Sequence, residues 1–296
     1  MRYLFFTGFW LFAGLATAIA QQDLLKKLKE ESSPMEERTA GTFKGTRLIN
    51  GHTVEVRQSG VLDFLISHRF GRLNSGAYSF FGLDESNIRL GLDYAVSDRL
   101  TLGLGRNSHL KVYDGILKYK IFWQESGKRE FPVSLVYLTN LAVQTFKRPE
   151  LPMNFERRLA FNHQVLIARK FTDGLSLQLS PTFIHRNLVA TRAEDNNGYA
   201  MGVGGRFKLT PRTSLNVEYY YRLGDPLDNT YNPLGIGVDI ETGGHVFQLH
   251  LTNAQAMTET GFVPYTTGDF FGGDIHFGFN ISRNFQLREG KKAVSW

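Results

Sequence analysis

The 296-residue sequence contains no cysteine. That excludes a disulfide scaffold, thiolate metal sites, a cysteine nucleophile and a lipid-modified N-terminal cysteine. Long apolar runs are missing beyond residue 20, which excludes a bundle of membrane-spanning helices. The net charge is only +6, with Lys and Arg scattered singly among acids. No basic cluster for nucleic acid results. Catalytic motifs are absent too: there is no G-x-S-x-G, and no HxH, HxxxH or HExxH spacing. The glycine-rich piece Gly202–Gly205 falls inside a predicted strand, so it is not a phosphate loop. No cofactor is expected, and no enzymatic activity.

What is present begins at the N-terminus. Arg2, the apolar run Leu4–Leu15 and Ala18-Ile19-Ala20 make up a signal peptide over 1–20, with cleavage after Ala20. Residues 21–41 form a periplasmic lead-in, with Leu24, Leu25 and Leu28 on one stripe of a short helix over Gln22–Glu31. An N-terminal β-hairpin is predicted over 42–57. There Asn50-Gly51 separates alternating segments and suits a type I′ turn, which needs positive φ at both central residues.

From residue 58 to 285 the chain alternates. In Ser86–Arg106, SNIRLGLDYAVSDRLTLGLGR, the residues Ile88, Leu90, Leu92 and Tyr94 oppose Arg89, Gly91 and Asp93. After Ser97-Asp98, Leu100, Leu102 and Leu104 oppose Thr101, Gly103 and Gly105. Period-two alternation puts these sets on opposite faces of a hairpin. Twelve such strands are predicted, near 60–70, 87–96, 99–106, 112–123, 132–145, 158–171, 174–187, 198–209, 212–222, 234–241, 244–252 and 273–285, with no helix between them. Many run about ten residues, the length a tilted strand needs to cross a bilayer. Connections alternate between short turns and longer loops such as Gly71–Ser86 and Asn253–Gly272, the pattern of outer-membrane barrels. Aromatics recur near strand ends, at Tyr94, Tyr113, Trp123, Phe171, Tyr199, Tyr221 and Phe285, where membrane girdles place them. The expected fold is therefore all-β, an antiparallel up-and-down transmembrane β-barrel whose oily face meets lipid, followed by a C-terminal tail over 286–296. A soluble secreted β protein with an apolar ligand inside would show the same alternation with its faces reversed.

Four segments carry a family resemblance: GVLDFLISHRFGRLNSGAYSFFGLDESNIRLGLDY (60–94), YDGILKYK (113–120), IGVDIETGGHVFQLHLTNAQ (236–255) and GDIHFGFNISR (273–283). They resemble an uncharacterised β-barrel family of bacterial envelope proteins, of the outer-membrane barrel type. The resemblance implies an envelope barrel and brings no catalytic residues with it.

The lumenal parity then holds the candidate functional residues: Arg69, Arg89, Lys118, Lys120, Arg206, Lys208 and Arg222, with Glu218, Asp239 and Glu241. Two readings stand side by side. Rings of charge set the selectivity of a narrow pore, here for small anions or other small solutes. Alternatively both signs pair across the lumen, plug it and make the barrel a structural envelope component. No metal site is expected, although His250 and His276 share the lumenal parity on the last two strands, near Asp239 or Asp274, and would approach one another. The expected partners are outer-membrane lipid and the barrel-assembly machinery during insertion. An outer-membrane enzyme on a barrel scaffold is the alternative function.

Overall fold

Side chains that alternate over ten or so residues, punctuated by polar turns, can bury neither face alone; closure of the sheet removes every edge. A computed structural model of the chain describes residues 37–127, 130–147, 154–189, 191, 194–224 and 227–288. The signal peptide, the short helix and the end of the tail lie outside the described residues.

Twelve strands close into one barrel: β1 (Val61–Arg72), β2 (Ser86–Ala95), β3 (Leu100–Asn107), β4 (Val112–Phe122), β5 (Ser134–Gln144), β6 (Leu159–Lys170), β7 (Leu175–Arg186), β8 (Asn197–Lys208), β9 (Thr213–Leu223), β10 (Leu234–Thr242), β11 (His245–Thr252) and β12 (His276–Gln286). Each pairs antiparallel with the next, and β12 closes on β1 with Ile281 opposite Ile66. A separate small unit pairs Glu37–Arg38 with Glu125–Ser126, where Arg38 Nε lies 2.9 Å from Glu125 Oε1.

The predicted faces are the observed ones. Leu90, Leu92 and Leu104 are 45%, 48% and 72% exposed, whereas Arg89, next to Leu90, is 1% exposed. The oily parity therefore points out of the barrel, opposite to what a soluble ligand-binding barrel requires. One strand departs from strict parity. A register shift between Lys120 and Phe122 in β4 turns Phe122 outward, so Ile121 and Trp123 do not continue the outward row of Leu117 and Tyr119; bulges reset parity in this way. The connections alternate as expected, except that residues 108–111 on the long-loop side span a single tight turn.

Two segments depart from the sequence reading more deeply. Residues 42–57 are neither a wall hairpin nor an appendage. They enter the barrel from the short-turn end, and Thr42, Leu48, Ile49, Asn50, His52 and Val54 are all buried. The loop between β11 and β12 also turns inward. It forms a short helix, α1 (Glu259–Tyr265), whose Glu259 and Phe262 have no exposed surface. The lumen is thus filled from both ends, and the fold's apolar core lies inside the barrel. Phe43, Leu48 and Val54 of the inserted segment pack with Ile116, Val136, Leu138, Leu166 and Ala168 of the wall.

Candidate functional site: the filled lumen

The inserted segment is a tight hairpin, with Arg47 bridged to His52 and the Leu48 N–H donating to the Gly51 carbonyl at 2.8 Å. The turn is not type I′, because neither Asn50 nor Gly51 has positive φ. Gly51 is required for a different reason: an added Cβ would run into the Tyr220 hydroxyl and the Glu218 carboxylate. Glycines across the lumen serve the same fit. A Cβ on Gly204 would strike Leu48, and one on Gly235 would lie 2.9 Å from Ile49 Cγ2. Gly202 and Gly204, mid-strand in β8, clear space for Tyr220 and the plug.

Wall side chains hold the plug largely by its main chain. Glu218 on β9 accepts from the amides of Ile49, Asn50 and Gly51 at 3.4, 3.0 and 3.0 Å. Gln178 on β7 brackets the descending leg, donating to the His52 carbonyl at 2.8 Å and accepting from the Val54 amide at 2.9 Å. Lys120 donates to the Val54 carbonyl at 3.0 Å, and Lys118 to the Glu55 carbonyl. On the opposite wall Asn280 donates to the Ile49 carbonyl at 3.0 Å, and Gln248 to the Leu48 carbonyl. Those made by Glu218, Lys118 and Lys120 are charge-assisted and so the stronger ones, and a buried partner of any of them is costly to leave unpaired.

Side-chain contacts fasten the two ends of the hairpin. Arg57 donates twice to Asp63 Oδ2 at 3.1 Å, and Lys44 reaches Glu241 and the Pro211 carbonyl. At the tip Arg69 donates to Asn50 Oδ1 at 2.7 Å. Beyond the tip the plug meets the inward loop, with Arg47 Nη1 3.1 Å and His52 Nε2 3.8 Å from Glu259 Oε1. Burial pushes the Glu259 carboxyl above its ordinary range, although Arg47 pulls the other way. It also pushes His52 well below the ordinary histidine value, and the neighbouring cations Arg47, Lys118 and Arg89 push it further.

The predicted lumenal charges all face inward or sit at the rim. Arg69, Arg89, Lys118, Lys120, Arg206, Glu218 and Asp239 are buried, Lys208 and Arg222 are half-buried, and Glu241 is exposed at the short-turn end. Opposite charges do not mainly pair with one another across the lumen. Arg89 with Asp114 is a wall pair; Arg69, Lys118, Lys120, Glu218 and Glu241 grip the plug, and Arg222 grips the inward loop at the Pro264 carbonyl (2.9 Å). His250 and His276 do lie on adjacent strands with the same parity, yet the register sets His250 opposite Gly278 and His276 opposite Thr252. His276 Nδ1 is 2.8 Å from the Phe70 carbonyl, Asp274 is engaged by Asn74 and Arg72, and Asp239 by Gln248. Among the described residues no cluster of three metal-binding side chains forms.

The plug contacts Gln178, Gln248 and Asn280 were outside the charged set. Their signal in the sequence was indirect. Ile116, Val136, Leu138 and Leu166 are apolar residues on the polar parity, and a water-filled lumen gives them nothing to pack against.

A family model described as a membrane-bound β-barrel domain (DUF5777) matches residues 43–285, so the match includes the plug as well as the wall. No curated protein matches the sequence. Among solved structures the chain is similar to the NanC porin, with 9% identity, 76% of this chain and 100% of that one covered, and a TM-score of 0.49. It is also similar to the KdgM porin (10% identity, 76% and 99% covered, TM-score 0.46). A third similar structure is an outer-membrane channel from Pseudomonas putida F1 (16% identity, 78% and 97% covered, TM-score 0.47).

Proposed function

The chain belongs to this family of membrane-bound β-barrel domains, and on that premise we propose that it is a non-catalytic outer-membrane channel for small solutes, closed at rest by its own residues 42–57. The signal peptide over 1–20 delivers it to the periplasm after cleavage at Ala20, and the barrel-assembly machinery then inserts it with its oily face in outer-membrane lipid.

One observation carries the reading of a channel rather than a solid strut. The wall behind the plug keeps polar side chains that a permanently filled barrel has no use for. Asn140 and Asn162 face each other across β5 and β6, and among the described residues none of their side-chain amide atoms has a hydrogen-bond partner; the same is true of both His250 ring nitrogens. Buried polar groups are normally paired, and these become paired once water occupies the lumen. The plug is also suited to leaving. It is not part of the sheet, and a cavity of ≈ 20 Å³ lined by Thr46, Arg47, Gln248 and Asn280 already separates it in part from the wall, room for about one water.

The test uses the full chain with a protease site built in at Gln58, which is exposed between plug and β1. In planar bilayers the uncut protein gives little or no steady conductance, and cutting with washout of the plug opens a stable one. With the plug gone, Arg69, Lys118, Lys120 and Arg206 face water, so a salt gradient gives a reversal potential of modest anion preference. Neutralising Lys118, Lys120, Arg206 and Lys208 together abolishes that preference. Equal conductance before and after cutting sinks the proposal.

A further inference from the structure

We propose that the lumen is a binding site for polypeptide in a hairpin conformation, with residues 42–57 as its tethered occupant. This rests on the reading above that the plug can leave. The argument is which atoms of the plug the wall reads. Six side chains on five strands, Lys118 and Lys120, Gln178, Glu218, Gln248 and Asn280, converge on the main chain of residues 48–55. Carbonyls meet lysine ammonium and amide N–H donors, and amides meet a carboxylate and an amide oxygen. Every one of those partners is a group that any peptide carries. Gln178, which accepts from one residue's amide and donates to the carbonyl two residues before it, satisfies the chain as a neighbouring strand would.

The wall's demands on plug side chains are few. Leu48 and Ile49 fit space left by Gly204 and Gly235, the turn needs a glycine where Gly51 lies against Tyr220 and Glu218, and Phe43 and Val54 need an apolar patch. A site built to lock one sequence would put its buried polar contacts on that sequence's side chains. Here such contacts concentrate at Arg47, Asn50 and the two ends of the hairpin, which tether this occupant in particular. A free sugar or a small anion would match neither the alternation of donors and acceptors nor the pair of apolar pockets. The chemistry that fits is an extended peptide with a glycine-containing turn.

The experiment measures entry of fluorescein-labelled peptides into the detergent-solubilised protein, folded whole and then cut at residue 58, by fluorescence anisotropy. The first probe is a peptide of residues 42–57. The second has the same length and keeps apolar residues at 43, 48, 49 and 54 and the glycine at 51, with every other side chain changed. Both are expected to bind, with affinities within about tenfold of one another. Glu218→Gln should weaken both by the same factor, about tenfold, as loss of a charged acceptor for backbone amides predicts. Gln178→Ala, on another strand, should do likewise and stands in if the Glu218 variant does not fold. Binding of the first probe alone overturns the proposal and leaves a dedicated stopper. Entry of neither overturns both this proposal and the removable plug. Displacement of the peptides by an acidic oligosaccharide at lower concentration than by unlabelled second probe also overturns it.

Discussion

Two segments fill the same lumen and are held in opposite ways. The loop helix α1 rests on apolar contact: Phe262 packs edge-on against Tyr220 with ring centroids 5.2 Å apart, and Val263 and Ala254 complete a cluster with Ile184 and Ala200. Part of its polar bonding is internal, with the Phe262 amide donating to the Thr258 carbonyl at 2.8 Å and Thr266 Oγ1 to the Phe262 carbonyl at 2.7 Å, while Glu259 meets Arg47 of the plug and Pro264 meets Arg222 of the wall. The plug has an apolar side as well, but its main chain is held by wall side chains. The difference matters when water arrives. Water can replace hydrogen bonds one for one at small net cost, whereas it cannot replace apolar packing. On the proposed reading the loop helix is a fixed constriction and the plug is the part that exchanges.

The largest effect should come from attacking the fixed insert. Phe262→Ala leaves a cavity in the middle of a buried cluster and should cost about 3–5 kcal/mol. Thermal unfolding, followed by the heat-dependent shift in electrophoretic mobility, measures it. The plug should stay seated at room temperature, since its wall contacts are untouched. If this variant instead conducts as the cut protein does, the two inserts are one cooperative unit and the contrast between them fails.

Next in size is a contrast between the wall's two faces. Leu102→Arg puts a charge toward lipid at mid-strand and should cost roughly 2–4 kcal/mol, seen as poor assembly. Gln178→Arg faces inward and should assemble, but it removes the amide that brackets residues 52 and 54, so it should conduct without cutting. Equal assembly defects in the two variants would show the inward position to be as intolerant as the outward one, and the lumen to be solid core.

How much of this was legible in the sequence follows from the period of the pattern. Twelve strands, their order and the direction of the oily face all derive from alternation and turn chemistry, which are local. Leu90 and Arg89 declare their faces without reference to anything distant. The filling of the lumen is not local. Asn50-Gly51 sits at the turn between Arg47 and His52, though without the expected type I′ conformation, and nothing within 42–57 says that its amides meet Glu218, which lies 167–169 residues away in the chain. Likewise the Asn253–Gly272 loop reads as polar and glycine-containing, and α1 forms there because Tyr220, Ile184 and Ala200 give Phe262 somewhere to go. The readable hint was a conflict of levels, in which Leu138 and Leu166 sit at positions that alternation assigns to water. Such conflicts mark where a second element must be supplied.

The smallest expected effect concerns pH and lies where the two inserts meet. His52 belongs to the plug and is 1% exposed, facing Arg47 on its own hairpin, Glu259 on α1, and Lys118 and Arg89 on the wall. Burial and these cations hold its folded-state pKa well below the ordinary 6.5. A group depressed on folding contributes stability that is complete above its unfolded value and is lost as pH falls toward the folded one. Acidification from 7.5 to 5.5 should therefore loosen the seat, by at most about 1.4 kcal/mol for each pH unit below 6.5. Glu259 works in the opposite sense: its raised pKa gives a contribution that is complete below the ordinary glutamate value and lost as pH rises through the folded one. Where the two windows overlap the net change is smaller than His52 alone would give. In bilayers the uncut channel should open more often at pH 5.5 than at 7.5, and His52→Asn should flatten that response while leaving closure at pH 7.5 intact. A response that survives His52→Asn unchanged would show that the plug is loosened by some group other than its own histidine.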